Sequence, residues 1–420
     1  MSKQANSQFY RKSFWPLLLI LIVALVSLSA GVIPAFAAAP NLAPSKTVLG
    51  PTLYLSAFDT EVAHLDFYSA SGLNTLGYGT ASANDYKSLL KIAQERGLKA
   101  RVSISPYFIK ASDAELKSFV STLATYDVIR VWYLPEEPVS STDHTAWIRM
   151  YRLVKEADPK KRPVGVYLAE GITAQYFRTW SDIADVIYCG AYQEFYGLNR
   201  AAIVTRIKAA VEGLAGTNKA VIATPQFFDL QTYMQMNGLA TAPANLHIGH
   251  PTPQHARFDA YASLIVGAQG IDWYTLEYGL SLPDMKAAII QISRELKELS
   301  PAIMSTEPVP AGLTIKQLSG PTQSADAGGR RHDTIQSMIR QYKGYTYIFI
   351  ASLVPDAVTV QVSGLNDGQA EVLYENRTLT VQKGVFTDSF KDYAVHVYRI
   401  ASPQSNGLTQ WSDISGQEVS

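Results

Sequence analysis

The pattern of hydrophobic and polar positions changes period repeatedly between residues 52 and 303. Short runs rich in β-branched and aromatic residues alternate with stretches whose apolar residues recur at every third or fourth position, for example 84–97 and 283–299. The first pattern is typical of buried strands and the second of amphipathic helices. The alternation predicts eight strand–helix units, with strands at 52–58, 75–79, 99–107, 128–138, 163–169, 185–195, 219–229 and 270–279.

Eight consecutive units of this kind predict a parallel sheet closed into a barrel. A (β/α)₈ or TIM barrel usually takes about 250 residues, which fits the span available. An open doubly wound sheet is the alternative. The residues around the end of the first predicted strand, 56–62, read SAFDTEV and lack the glycine-rich phosphate loop of nucleotide-binding sheets. The predicted fold class is therefore α/β, with a barrel domain at 38–303.

The pattern changes again after about residue 303. β-type runs follow one another without helical stretches between them, and turn signals such as Asn366-Asp367-Gly368 and Lys343-Gly344 separate them. Consecutive strands joined by short turns are typical of an antiparallel sandwich. We therefore expect a small all-β sandwich at 304–402. A flexible tail rich in Ser, Gln and Gly is expected at 403–420.

Residues 1–37 have the organisation of an export signal. Basic residues at 3, 11 and 12 precede an apolar run from Trp15 to Ile33, and small residues at 35 and 37 form a cleavage site. We expect cleavage near Ala38 and a secreted or extracytoplasmic protein. An uncleaved membrane anchor is the alternative, because the apolar run is long.

The composition narrows the class of partner. Lys plus Arg and Asp plus Glu are equal at 36 each in 420 residues, so no net field favours nucleic acid, anionic lipid or an acidic polymer. The 24 Tyr and 6 Trp supply flat faces that suit a neutral sugar as well as a protein core. Cys189 is the single cysteine, which excludes an intramolecular disulfide. The sequence carries no cofactor signature, and a monomer is expected.

The best candidates for chemistry end the fourth predicted strand. Reactive groups of a (β/α)₈ barrel lie at the C-terminal ends of its strands, because the loops leaving that face form the cleft. There Glu136 and Glu137 stand between two prolines that end the strand. Strand alternation turns only one of them inward, so both face the cleft only if the backbone breaks locally. Their repulsion would raise the pKa of one, as a general acid requires; solvated loop carboxylates are the alternative.

The run 131–138, VWYLPEEP, resembles the strand 4 signature of clan A glycoside hydrolases, in which Asn-Glu-Pro or Asp-Glu-Pro follows an apolar strand. The segments 222–228 and 251–279 are similar to the less characterised Asp-Glu-Pro branch, and 372–400 is similar to its accessory sandwich. The resemblance implies a glycosidase, an O-glycosyl hydrolase acting on an oligo- or polysaccharide. In it Glu137 matches the acid/base Glu, and Glu136 matches the residue that contacts a sugar hydroxyl.

The sequence departs from that family at the end of strand 7. The family has its nucleophile Glu there, whereas this chain has Gln226, and an amide is not a useful nucleophile. We therefore expect Glu277, at the end of strand 8, to be the nucleophile or the water-activating base, with Glu194 and Asp229 as later choices. Gln226 is then expected to orient hydroxyl groups of the substrate.

Aromatic and basic side chains near strand ends complete the predicted site. Tyr107, Tyr192 and Tyr274 are predicted to contact sugar rings, with core packing as the alternative. Arg257, near the start of the helix after strand 7, is predicted either to reach the cleft or to pair on the surface. Three histidines close to that helix fit no compact zinc pattern, so no metal site is predicted. They are His247, His250 and His255.

Two functions of different classes follow. The first is a secreted O-glycoside hydrolase, which needs a second carboxylate within about 10 Å of Glu137 across an open cleft. The second is a non-catalytic glycan-binding barrel that has lost the strand 7 nucleophile and needs only the aromatic residues. An enzyme of unrelated chemistry on the same barrel is the third reading, because fold does not fix function.

Overall fold

The computed structural model describes residues 48–402 except 60–63, 80–81, 139, 170 and 239–248. The predicted export signal at 1–37 and the predicted tail at 403–420 lie outside the described residues. No helix in the described part of the chain is both long and apolar enough to cross a bilayer.

The first eight strands form one closed parallel barrel in sequence order. The barrel closes where β1 pairs with β8, with Ser56 opposite Asp272. This confirms the predicted (β/α)₈ barrel and excludes the open sheet. The strands are β1 Tyr54–Asp59, β2 Thr75–Tyr78, β3 Lys99–Ser103, β4 Ile129–Tyr133, β5 Val164–Tyr167, β6 Val186–Cys189, β7 Ala220–Ala223 and β8 Gly270–Trp273.

Most strands are shorter than the pattern predicted, because the residues after them turn into loops and short helices that form the mouth of the barrel. The segments Gln193–Tyr196 and Leu276–Gly279, which overlap the predicted strand ends at 195 and 279, are helical. The helices are α1 Leu65–Ser71, α2 Ala83–Glu95, α3 Asp113–Leu123, α4 Ser141–Ala157, α5 Ala174–Thr179, α6 Gln193–Tyr196, α7 Ala201–Gly213, α8 Leu230–Asn237, α9 Pro253–Ile265, α10 Leu276–Gly279 and α11 Pro283–Ile303.

Local sequence signals set several of these helix starts. Ser112 and Glu115 form a capping box at α3, and Ser140 and Asp143 form one at α4. In such a box the two side chains satisfy N–H groups that the helix itself leaves unpaired. These caps fix where the chain leaves the mouth of the barrel and turns back along its outside.

The barrel has two apolar layers. One lies between the strands and the surrounding helices. The other fills the inside of the barrel with side chains from alternate strand positions, among them Tyr54, Val131, Tyr188 and Ile222, all fully buried. A filled interior is the rule for barrels of eight strands, so ligands bind at the mouth.

The C-terminal residues form the predicted antiparallel sandwich. Five strands pair in the order β12-β13-β18-β15-β16 and three in the order β17-β14-β9, with a hairpin of β10 and β11 beside them. Inward residues alternate along β14, where Val358, Val360 and Val362 are buried. The strands are β9 Thr314–Ser319, β10 Gln323–Ala325, β11 Arg331–Asp333, β12 Ile335–Tyr342, β13 Tyr345–Ser352, β14 Val358–Ser363, β15 Gly368–Val372, β16 Arg377–Val381, β17 Val385–Phe390 and β18 Val395–Ala401.

The sandwich packs against the side of the barrel, on α9 and α11. α9 contacts β12, β13 and β18 and is buried along almost its whole length, because the barrel covers one face and the sandwich the other. Near the start of α9, the rings of His255 and Tyr393 lie 5.5 Å apart. The loop before β18 therefore reaches the mouth end of α9.

Candidate active site at the mouth of the barrel

A break in the backbone at the end of β4 turns two successive carboxyl groups into one cleft. Glu137 has φ 59°, in the left-handed region that non-glycine residues seldom occupy. Its N–H donates to the carbonyl of Tyr167 at the end of β5, at 3.0 Å. Both Glu136 and Glu137 line the same cleft. Both carboxyl groups can face the cleft only if the backbone breaks locally, and that break is present at Glu137.

The cleft lies at the C-terminal ends of the strands and encloses a volume of about 50 Å³. Its lining combines three carboxyl groups, one guanidinium and many aromatic rings. The residues are Phe58, Arg101, Tyr133, Glu136, Glu137, Tyr167, Tyr192, Phe195, Tyr196, Thr224, Phe228, Tyr233, Asp272 and Tyr274.

A buried ion pair forms the floor of this cleft. Arg101 of β3 and Asp272 of β8 bond to each other, and their side chains are 0% and 3% exposed. Arg101 Nη2 also donates to the carbonyl of Gly77 at 2.9 Å, and its guanidinium lies 4.2 Å from the centre of the Tyr133 ring. Burial is the largest single influence on the pKa of Arg101 and lowers it, but Asp272 and three neighbouring tyrosines together outweigh burial and leave that pKa well above its ordinary value.

Glu136 lies close to this ion pair. It shares the cleft with an aromatic wall formed by Tyr192, Phe195, Tyr196, Phe228, Tyr233 and Tyr274. The Tyr133 hydroxyl donates to Glu136 Oε1 at 2.8 Å. Burial raises the pKa of Glu136, and both the charge of Arg101 and the hydrogen bond from Tyr133 oppose that rise. Glu136 is therefore an oriented carboxyl group with a raised affinity for a proton.

Tyrosines surround Glu137. Burial and then the charge of Glu137 raise the pKa of Tyr196 to about 12, and the same two causes raise the pKa of Tyr233. The rings of Tyr192 and Tyr274 stack with centres 5.6 Å apart, and the Tyr167 hydroxyl donates to that of Tyr192 at 3.2 Å. Tyr192 and Tyr274 thus line the cleft where the sequence placed them.

Gln226 lies at the end of β7 but holds the protein together instead of facing the cleft. It is fully buried, its Oε1 accepts from the Phe195 N–H at 3.2 Å, and its Nε2 donates to the Phe228 carbonyl at 2.9 Å. Both ends of the amide are used by the two segments that carry the aromatic wall. The expected role of orienting substrate hydroxyl groups does not fit this placement.

Glu277, the expected second carboxylate, does not line the cleft. It is half-buried in the first turn of α10, beyond the point where β8 ends. The other candidates for the second carboxylate also have partners. Glu194 pairs with Arg200 and with His255, and Asp229 caps α8 by accepting from the Thr232 N–H at 2.5 Å.

Two other expected contacts lie away from the cleft. Tyr107 is 56% exposed, and its hydroxyl donates to Glu115 Oε1 at 2.6 Å on the outer surface. Arg257 pairs with Glu295 at 3.2 Å and donates to the Val395 carbonyl at 2.5 Å, so it joins the barrel to the sandwich. From the sequence alone, a tyrosine that follows a strand, or an arginine at the start of a helix, is as typical of a binding site as of an interface between domains.

Two of the three histidines considered for a metal site lie next to carboxylate groups in the structure. His250 lies 3.0 Å from Asp284 and His255 lies 3.0 Å from Glu194. His247 lies outside the described residues. Within the described ranges, no group of three or more His, Cys, Asp or Glu side chains is arranged to hold a metal ion.

Sequence reasoning missed the ion pair at the cleft floor. Arg101 and Asp272 were read as parts of strands, yet each is a charged residue in an otherwise apolar run. Full burial of such residues requires a partner of opposite charge. That signal was available in the sequence. Three further aromatic residues of the cleft were not predicted from the sequence, because the pattern does not define the direction of the loop or short helix that carries each of them. They are Tyr196, Phe228 and Tyr233.

Neither a protein-family model nor a curated protein sequence matches the chain. Solved structures do resemble it. A β-galactosidase from Bacillus circulans sp. alkalophilus aligns with a TM-score of 0.55 and 8% identity, over 84% of this chain and 99% of its own. An α-amylase from Geobacillus thermoleovorans, complexed with acarbose, aligns with a TM-score of 0.54 and 9% identity, over 86% and 100%. A further glycoside hydrolase aligns with a TM-score of 0.55 and 12% identity, over 85% and 94%.

At such low identity the likeness establishes the fold alone. Function depends on the site and not on the fold. What these proteins act on is therefore informative for this chain only together with the cleft described above.

Proposed function

We propose that the protein is a secreted O-glycoside hydrolase that acts on an oligo- or polysaccharide. The observation that carries the proposal is the placement of Glu136 and Glu137 together in one aromatic-walled cleft at the mouth of the barrel. Carboxyl groups in an aromatic cleft, with flat rings for the sugar faces, are what glycoside cleavage requires. The likeness of the fold to a β-galactosidase and an α-amylase supports the same class.

Glu137 is the proposed acid/base. Its position matches the resemblance noted in the sequence, and it lines the cleft together with Tyr196 and Tyr233, whose pKa values its charge raises. Glu136, held by Tyr133, is its companion carboxylate. The Arg101–Asp272 pair below them fixes charge at the floor, where a sugar hydroxyl would bind.

The test uses purified protein on a broad panel of plant, algal and bacterial glycans, followed by variants on the best substrate. Glu137→Gln should lower kcat by about a hundredfold or more, as loss of general acid catalysis does. Glu95→Gln is the matched control, because Glu95 is an exposed residue of α2 with 61% of its side chain accessible. Similar activity of both variants would contradict the role of Glu137.

The second candidate function is glycan binding without hydrolysis. Gln226 favours it, because the strand 7 position that carries the nucleophile in clan A is an amide committed to the backbone. Binding of a glycan from the panel, with no reducing ends released over long incubation, would support this function and refute the hydrolase.

Secretion is tested by expression of the full chain in a bacterium. N-terminal sequencing of the exported protein should give a start near Ala38. Recovery of the intact N-terminus in the membrane fraction would instead support an uncleaved anchor.

A further inference from the structure

The short helix α6 carries a large part of the aromatic wall of the cleft. Tyr192 directly precedes this helix, Phe195 and Tyr196 belong to it, and all three line the cleft. The centre of the Phe195 ring lies 4.9 Å from that of Tyr196 and 5.1 Å from that of Phe228. Four residues are too few for a helix that is stable by itself. The positions of these rings therefore depend on the contacts that hold α6 in place.

The two other side chains of α6 make those contacts away from the cleft. Gln193 is fully buried, and its Nε2 donates to Asp259 Oδ1 of α9 at 3.1 Å. Glu194 pairs with Arg200, and its Oε1 lies 3.0 Å from His255 Nδ1. Gln193 and Glu194 are not part of the cleft lining that the structure describes. The helix thus presents rings to the cleft and polar groups to its support.

Arg200 is the residue at which these contacts meet. It directly precedes α7, and its side chain is 5% exposed. Its Nη1 donates to Asp259 Oδ2 at 2.7 Å, and its Nη2 donates to Glu194. Asp259 is fully buried and accepts from both Arg200 and Gln193. Because a guanidinium is planar and presents its donors in a rigid fork, this one side chain fixes α6 relative to α9.

We propose that Arg200 is a positioning residue for sugar binding, which sets the rings of Phe195 and Tyr196 through Glu194 and Asp259. This inference rests on the proposed function and adds a residue outside the cleft that determines the affinity for the substrate. Arg200 itself touches no substrate in this proposal.

The proposed acid groups have a separate support. Glu136 accepts from the Tyr133 hydroxyl at 2.8 Å, and the Glu137 N–H donates to the Tyr167 carbonyl at 3.0 Å. These contacts belong to β4 and β5. Loss of Arg200 should therefore weaken the binding of the sugar much more than it slows the cleavage step.

The experiment compares Arg200→Met with a matched variant of a second buried pair, Arg162→Met. The Arg162 side chain is 8% exposed and pairs with Asp158, whose side chain is 1% exposed. Arg162 precedes β5, so it lies at the end of the barrel opposite the cleft. Both variants lose a buried cation, but only Arg200→Met loses the support of α6.

Steady-state kinetics on the best substrate of the glycan panel separate binding from cleavage. Arg200→Met should raise KM about tenfold or more, because an aromatic contact contributes up to about a factor of ten. Its kcat should change less than about threefold, as expected when only uniform binding is lost. Arg162→Met should leave both constants within about threefold. Arg200→Lys should recover part of the loss, since it keeps the charge but not the fork.

Hydrogen exchange followed by mass spectrometry tests the support of α6 without a substrate. The amides of Tyr196 and Leu198 donate to the carbonyls of Tyr192 and Gln193 at 3.0 and 2.8 Å. Exchange at such amides reports local opening. It should be faster in Arg200→Met than in the wild-type protein and unchanged in Arg162→Met.

Several results would overturn the positioning role. An equal rise of KM in both methionine variants would show a general loss of stability instead, and an unchanged KM or unchanged exchange in Arg200→Met would remove the role directly. If Arg200→Met does not fold, Gln193→Leu takes its place, because it removes one contact of α6 and leaves Arg200 with both carboxylates. An unchanged KM in Gln193→Leu would then refute the inference.

The same measurements separate this inference from the proposed function. If the wild-type protein binds a glycan of the panel without cleaving it, the hydrolase is refuted, and Kd replaces KM in the comparison of the variants. If it neither binds nor cleaves any glycan of the panel, the proposed function and the positioning role are both refuted.

Discussion

The buried pair of Arg101 and Asp272 allows the most quantitative test of this structure. Both side chains are within 3% of complete burial. Arg101→Met keeps most of the side-chain volume but removes the charge, the hydrogen bond to the Gly77 carbonyl and the contact with the Tyr133 ring. Removing one partner of a buried pair costs about 3–5 kcal/mol, because the other charge is left without compensation. We expect a loss in that range.

The assay is urea unfolding followed by tryptophan fluorescence. Four tryptophans lie in the described barrel, and Trp132 and Trp273 are fully buried next to the strands that carry the pair. The sandwich strands contain none, so the signal reports the barrel. The free energy of unfolding follows from the linear dependence on urea.

A double substitution separates the pair from its surroundings. Arg101→Met with Asp272→Leu removes both charges, and replacement of a buried pair by apolar groups is often neutral. The double variant should therefore be more stable than Arg101→Met alone, and the double-mutant cycle should give a coupling of about 2–3 kcal/mol. A loss below about 1 kcal/mol for Arg101→Met would refute the reasoning, because a solvated Asp272 would then need no partner.

Three further predictions concern the cleft. Glu136→Gln should raise the melting temperature at about pH 8 and much less at about pH 4, because burial raises the pKa of Glu136 and the folded state is destabilised as pH rises through that value; calorimetry at both pH values checks this. Glu277→Gln should lower activity less than about threefold, whereas Glu137→Gln lowers it about a hundredfold or more, and equal losses would restore Glu277 to the mechanism. Gln226→Ala should cost about 2–4 kcal/mol in urea unfolding, since two buried backbone groups lose their partner, and an unchanged midpoint would contradict that role.

Periodicity was sufficient to predict the fold. Alternation between strand and helix patterns defined all eight barrel strands within a few residues at their starts, as at Thr75 and Gly270. Strand ends were less accurate, because a buried strand and a short buried helix such as Leu276–Gly279 have similar apolar sequences. The hairpin of β10 and β11 was not predicted, since its strands are short and polar, and strand β17 was not predicted either.

The site was predicted only in part, for physical reasons. Prolines around Glu136 and Glu137 showed where β4 ends, but not that φ of Glu137 turns both carboxyl groups to one side. Gln226 was expected to face substrate because it stands where the family has its nucleophile at the end of strand 7. The orientation of its amide depends on the backbone groups of Phe195 and Phe228, which the pattern does not place. Arg101 and Asp272 are 171 positions apart, and only the closed barrel brings them together.

The contact between His255 and Tyr393 has a consequence for how the chain can be divided. His255 bonds at 3.0 Å to Glu194 of α6, the short helix that also carries the aromatic wall of the cleft. A loop of the C-terminal sheets thus supports, through His255, the short helix that lines the cleft. A truncated chain ending at residue 303 would lose that support, so the sandwich contributes to the shape of the cleft and is not a detachable accessory.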